Sequence, residues 1–197
     1  MIKIAITGGI GSGKSTVCRL FNEMGIPTFD SDSSAKKQYL KPHIKYQVIK
    51  LLGNNILTNN EIDLNKISEI CFNDNNILNT LTDIISEGVL EDYSDFLIKN
   101  NKSIYTIFES AILINRNKTH LFDKIIGVIA DQNTRIKRVM ERSKLSENEI
   151  IRRINSQVSD NEIMSKCDYI ILNNTNFQNL INQIEYINLR IKQNYKI

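Results

Sequence analysis

The stretch Gly8-Gly9-Ile10-Gly11-Ser12-Gly13-Lys14-Ser15-Thr16 constrains this chain more than any other. It follows the short apolar run Ile4-Ala5-Ile6-Thr7, which reads as a buried strand. It leads into residues 14–24, where Val17, Leu20, Phe21 and Met24 recur at helical spacing. Strand, G-x-x-x-x-G-K-[ST] and helix, in that order, make the P-loop signature. Glycine is required because bulkier residues would keep the backbone N–H groups from closing round a phosphate. Those N–H groups and the positive end of the helix dipole form an anion cradle. Lys14 is then a mobile cation for the β- and γ-phosphates, and Ser15 offers its hydroxyl to Mg²⁺. A chance glycine-rich turn would not bring the flanking strand and helix with it.

A second apolar run at 26–29 follows a helix stop at Gly25 and ends in Asp30-Ser31-Asp32. Placed as a neighbouring parallel strand, it carries two carboxylates to its C-terminal end, the edge where open α/β sheets bind ligands. These carboxylates suit a catalytic base and a Mg²⁺ or substrate contact. Asp30 or Ser31 can equally cap a helix starting near Ser33. Asp32 is the favoured base, with Asp30 as the alternative.

Residues 33–100 show no strand pattern. Val48, Leu51 and Leu52, then Ile67, Ile70 and Cys71, then Leu78, Leu81, Ile84 and Ile85 recur at three- and four-residue steps. Breaks fall at Pro42, at Gly53-Asn54-Asn55 and at 73–76. A run of helices inserted between two strands predicts a substrate-side lobe. Ile104-Tyr105-Thr106-Ile107-Phe108 reads as the third strand, ending in Glu109-Ser110. Ile125-Ile126-Gly127-Val128-Ile129-Ala130 reads as the fourth, ending in Asp131. A basic helix from Asn133, with Arg135, Lys137, Arg138 and Arg142, precedes a second helix at 147–158 with Arg152, Arg153 and Gln157. This pair predicts a lid whose arginines neutralise a transferring phosphoryl group. Asp168-Tyr169-Ile170-Ile171-Leu172 is the last strand. Asn173-Asn174 follows, then an amphipathic helix through Leu180, Ile184, Ile187 and Ile191.

The 197 residues suffice for one well-cored α/β domain with insertions. A net charge of +3 with mixed signs argues for neither a nucleic-acid partner nor a membrane surface. Cys18, Cys71 and Cys167 lack metal-type or C-x-x-C spacing, which suits reduced thiols in a cytoplasmic protein, with Cys18 buried on the P-loop helix. No apolar run is long enough to cross a bilayer and no signal peptide is evident. A regulatory GTPase needs Asn-Lys-x-Asp for guanine. The pairs beginning at Asn65, Asn101 and Asn117 supply no such Asp, and no Asp-x-x-Gly occurs.

Nearly the whole chain resembles the dephospho-CoA kinase family. The resemblance is carried by the loop from Thr7 to Thr16, by Gly25-Ile26-Pro27 and Asp30-Ser31-Asp32, and by Arg135-Ile136-Lys137-Arg138-Val139-Met140-Glu141-Arg142. Ser156-Gln157 and Cys167-Asp168-Tyr169-Ile170-Ile171-Leu172-Asn173-Asn174 complete it. It implies an α/β P-loop mononucleotide kinase core with a five-stranded parallel sheet flanked by helices, a helical substrate lobe and a helical lid. The core would span 1–32, 103–131 and 168–197, the lobe 33–102 and the lid 132–167. It implies ATP and Mg²⁺, and phosphorylation of the ribose 3′-hydroxyl of dephospho-coenzyme A as the last step of coenzyme A synthesis, by a monomer or weak homo-oligomer.

Carried over residue by residue, Gly9, Gly11, Ser12, Gly13, Lys14, Ser15 and Thr16 would bind ATP phosphates, with Ser15 also on the metal. Asp32 would be the base, Arg138 and Arg142 would hold phosphates from the lid, and Asn173 and Asn174 would lie near the adenine. Lys14, Asp32 and Arg142 form the expected catalytic set. Departures from the family pattern are Ser31 for its Ala, Lys36 for an Arg, Leu64 after Asp63 for an Arg, and Ser86-Glu87 for His-Pro. A further departure is Ser110-Ala111-Ile112-Leu113-Ile114, which lacks a closing Glu. All fall on the acceptor side. Two other readings stand beside this one: another small P-loop kinase acting on a nucleoside, shikimate or gluconate, and a non-catalytic coenzyme A-binding relic.

Overall fold

The computed structural model describes residues 1–174 and 176–195, and the side chains of these except 72 and 73. The chain runs through β1 (Ile2–Thr7), α1 (Lys14–Glu23) and β2 (Thr28–Asp30). It then enters α2 (Ser31–Gln38), α3 (Pro42–Leu52), β3 (Leu57–Thr58), β4 (Glu61–Ile62), α4 (Leu64–Asn73) and α5 (Asn75–Lys99). It returns through β5 (Tyr105–Glu109), β6 (Lys124–Ile129), α6 (Gln132–Arg142), α7 (Glu147–Asn155), α8 (Asp160–Lys166), β7 (Tyr169–Leu172) and α9 (Phe177–Asn194). Two compact units result: residues 1–30 with 100–197, and Ser31–Lys99.

The first unit is built on a five-stranded sheet in the order β2-β5-β1-β6-β7, and every neighbouring pair is parallel. Side chains alternate along a strand, so the two faces of β1 bury different partners. Ile2, Ile4 and Ile6 face a core made with Val17, Leu20 and Phe21 of α1 and Leu180, Ile184, Ile187 and Ile191 of α9. Ala5 faces the opposite side, against Leu113 and Ile125. On that side Ile163 of α8 packs with Ile114 and Ile129. A sheet covered on both faces accounts for the near-continuous apolar runs of its strands. Because all strands are parallel, their C-terminal ends meet at one edge, where the loop after β1 and the carboxylates ending β2 and β5 lie.

In the second unit, α2 lies along the 25-residue α5, and a polar cluster holds them together. Asp92 accepts from the Ser34 hydroxyl at 2.7 Å, from the Gln38 amide at 2.6 Å and from the Lys41 ammonium at 2.7 Å. Gly88 makes room for this contact, since a Cβ there would lie 2.2 Å from Gln38 Oε1.

Two features differ from the sequence expectation. Residues 33–100 were expected to hold no strands, but β3 and β4 form a small antiparallel hairpin. Its turn is Asn59-Asn60, at φ 52° and 64°, the paired left-handed conformation of a two-residue hairpin. Strands of two residues are too short to leave a period. The second basic helix was expected to run to 158; α7 ends at Asn155 and a separate helix, α8, follows. Ser159 caps α8 by accepting from the Glu162 N–H, which gives the chain a fresh start there. Among the described residues no helix is long and apolar enough to cross a membrane.

Candidate active site

The loop between β1 and α1 turns into its helix through Gly13, at φ 100°, where a Cβ would lie 2.1 Å from the Asn173 amide nitrogen. No side chain caps α1 and no acid sits in its first turn, so the positive end of its dipole is open to an anion. Ser12 is buried, and its hydroxyl finds no hydrogen-bond partner among the described residues. Leaving such a group unsatisfied costs on the order of 1–3 kcal/mol. An uncapped helix start beside a buried hydroxyl with bonding capacity to spare fits a bound phosphate.

Lys14 is half-buried and turned back over the loop, its ammonium donating to the carbonyls of Gly8 at 3.1 Å and Gly9 at 3.4 Å. Ser15, exposed on the first turn of α1, donates to Glu109 Oε1 at 3.0 Å. Thr16 follows it on the same turn. Glu109 ends β5, and Asp30, at the end of β2, is its register partner. The two carboxylates therefore lie side by side at the C-terminal edge of the sheet. The Cys18 thiol registers this concentration of charge. Burial pushes its pKa up most, Glu109 adds to that, Lys14 opposes it and Asp30 contributes. In the sequence Glu109 marks only the end of a strand. The signal that could have marked it is the one that marked Asp30, an acid closing an apolar run beside the P-loop strand.

Arg138 and Asn173 come to the loop from behind. The Asn173 amide donates to Ser12 O at 2.8 Å, and Arg138 donates to Ser12 O at 3.4 Å and to Asn173 O at 3.0 Å. Asn173 is buried and its amide is committed to the loop backbone. Asn174 is exposed and accepts from the Asp131 N–H at 2.7 Å, at the end of β6. Arg142 is exposed at the C-terminal end of α6, one turn beyond Arg138. Arg135 and Gln157 reach the loop through Ile10. Burial pushes the Arg135 guanidinium down from its ordinary pKa, with the Asp160 charge opposing. Asp32 belongs to the second unit, exposed on the first turn of α2 and joined to β2 through Ser31.

A parallel five-stranded sheet with this loop after its central strand defines a P-loop kinase. A family model for dephospho-CoA kinase matches residues 2–179. The dephospho-CoA kinase of Fusobacterium nucleatum is 34% identical over 183 residues, covering 92% of this chain and 94% of its own. The crystal structure of TT1252 from Thermus thermophilus superposes with a TM-score of 0.88 at 24% identity, over 96% of each chain. Dephospho-CoA kinase from Campylobacter jejuni superposes with a TM-score of 0.65 at 20% identity, over 98% of each chain. The chain belongs to the dephospho-CoA kinase family. It is a phosphotransferase acting on dephospho-coenzyme A, in coenzyme A synthesis.

Proposed function

We propose that the loop of residues 8–16 binds the triphosphate of ATP and that the γ-phosphoryl group passes to the ribose 3′-hydroxyl of dephospho-coenzyme A, giving coenzyme A and ADP. The observation that carries the nucleotide part is the Ser12–Gly13–Lys14 corner, where a buried, unpartnered hydroxyl, an uncapped helix start and an ammonium converge. Lys14 leaves its loop carbonyls for the β/γ-phosphates, exchanging weak neutral acceptors for a strong anionic one. Gly9, Gly11, Ser12, Gly13 and Thr16 line the same cradle. Arg142, exposed on α6, adds positive charge as phosphoryl transfer proceeds, and Arg138 holds the loop and a phosphate. The environment of Asn173 and Asn174 suits a wall near the nucleotide base, with Asn173 acting through the loop backbone.

Asp32 takes the proton of the acceptor hydroxyl. The chain passes from β2 into α2 without a loop, so this carboxylate follows the sheet edge by two residues. Asp30 is the alternative, because it ends β2 beside Glu109.

The residues also fit Mg²⁺. No three His, Cys, Asp or Glu side chains gather into a metal site among the described residues, so phosphate oxygens and water must supply most ligands, as is usual for this ion. Ser15 and Glu109, 3.0 Å apart, are the protein groups placed to hold it. When bound, the ion neutralises charge on the β- and γ-oxygens.

The test is ADP release with ATP and Mg²⁺, measured with and without dephospho-coenzyme A. Acceptor-dependent release is expected. Release driven equally by shikimate or gluconate would favour another small-molecule kinase, and binding of coenzyme A without turnover would favour a relic.

A further inference from the structure

One residue of the loop has every interacting group engaged by the chain between β6 and β7. The Ile10 N–H donates to Gln157 Oε1 at 2.7 Å, and the Ile10 carbonyl accepts from Arg135 Nε at 2.9 Å. The Ile10 side chain packs into the apolar cluster of Ile136, Val139 and Ile150 with Leu145, Ile151 and Ile154, the seam between α6 and α7. Arg135 is only 5% exposed. The rest of its planar fork is also engaged, with Nη2 donating to Gln157 Oε1 at 3.4 Å and Nη1 to Asp160 Oδ1 at 3.5 Å. The fork therefore joins the start of α6, the α7–α8 link, the start of α8 and the loop. The fit is close, since a Cβ on Gly9 would lie 2.1 Å from Arg135 Nη2.

We propose that Arg135, with Gln157, is a positioning residue for the phosphate cradle: the pair pins the Ile10 peptide, so that the loop is held in its binding shape and moves with α6 rather than beneath it. The reason is entropic. A glycine-rich loop has many backbone conformations to lose on binding an anion, and a loop already fixed in one of them binds without that loss. The pinned residue sits between glycines at 9 and 11, where the backbone is otherwise least restrained. It follows that a lid closing over nucleotide cannot swing the first turns of α6 away from the loop.

The inference rests on the nucleotide reading, and inorganic tripolyphosphate and adenosine separate the two. Arg135→Met is expected to weaken tripolyphosphate binding about tenfold, the effect of losing one or two charge-assisted hydrogen bonds, while adenosine binding stays within about twofold. KM for ATP should rise with kcat little changed, because the loss falls on ground and transition states alike. Arg135→Lys should not restore affinity, since an ammonium lacks the planar fork. Gln157→Leu is the second variant, should Arg135→Met fail to fold. It should weaken tripolyphosphate in the same direction and speed hydrogen exchange at the Ile10 amide. Equal tripolyphosphate affinity in unsubstituted protein and Gln157→Leu would overturn the pinning alone. Rescue by Arg135→Lys would reduce it to simple charge and overturn it likewise. An unsubstituted protein that does not bind tripolyphosphate would overturn the nucleotide reading and this one with it.

Discussion

Glu109 accepts a 3.0 Å hydrogen bond from the Ser15 hydroxyl, tying the end of β5 to the first turn of α1. The contact joins the hydroxyl expected on a nucleotide's metal to a carboxylate on the strand beside β1. A hydroxyl held this way keeps its lone pairs directed while its proton is shared with the carboxylate. Glu109→Gln should therefore lower kcat by about 10–100-fold and raise the Mg²⁺ concentration needed for half-maximal rate, the range seen when a group supporting a metal is lost. A Mg²⁺ titration of turnover checks this, and an unchanged midpoint would leave Glu109 with a structural role only.

Lys14 lies over the Gly8 and Gly9 carbonyls, 3.1 and 3.4 Å from them. Lys14→Ala should leave the thermal unfolding midpoint nearly unchanged. It should cost about 10²–10³ in kcat, comparable to removing one preorganised donor to developing charge. Near-normal turnover with unchanged nucleotide affinity would contradict the role.

Asp32→Asn should cost about 10²–10⁴ in kcat, the range for a general base, and leave ATP affinity nearly unaltered. Asp30→Asn, made in parallel, separates the two carboxylates. A dead Asp30→Asn beside an active Asp32→Asn would assign the base to Asp30, and loss of ATP–Mg²⁺ binding in Asp32→Asn would move Asp32 to the metal.

Arg142 is exposed at the end of α6, and in the proposed role its charge bears on the nucleotide only when the site closes. Arg142→Ala should lower kcat more than it weakens ATP binding measured without acceptor. The reverse pattern would make it a ground-state contact.

Asp92 gives a pH-dependent prediction for the second unit. Burial alone would push its carboxyl up, but hydrogen bonds from Lys41, Ser34 and Gln38 outweigh this and hold its pKa below the usual value. A carboxyl depressed in the folded state adds stability that is present above the unfolded value, about 3.9, and is lost as pH falls through the folded value. Asp92→Asn should lower the urea midpoint at pH 7, and the gap to the unsubstituted protein should narrow as pH drops below about 4. A gap constant from pH 7 to pH 3 would show that the charge of Asp92 does not stabilise the unit.

Much of the sheet was legible because its strands are buried on both faces and so read as apolar runs. The run at 26–29 is displaced toward Asp30 in β2, a shift of the size expected at element ends. The α9 face was legible residue by residue, since Leu180, Ile184, Ile187 and Ile191 are all buried as their spacing requires. The β3–β4 hairpin and α8 were not. One is too short to carry a period, and the other is a seven-residue helix set off from α7 by three residues and a new cap. Glu109 is not legible in the sequence, because an acid at a strand end has no local signature. Its meaning comes from the strand order, which sets β5 next to β1.

The sequence by itself determined the phosphate loop, because that function depends on consecutive backbone groups and on residues within one turn of a helix. It also determined the sheet class and the family. Only the tertiary structure decided which distant residues meet the loop: Glu109 on Ser15, Asn173 on Ser12, and Arg135 with Gln157 on Ile10. These contacts span from 94 to 161 positions, and no periodicity records them. They arise because parallel strands bring every strand end to one edge, whatever lies between them in the chain.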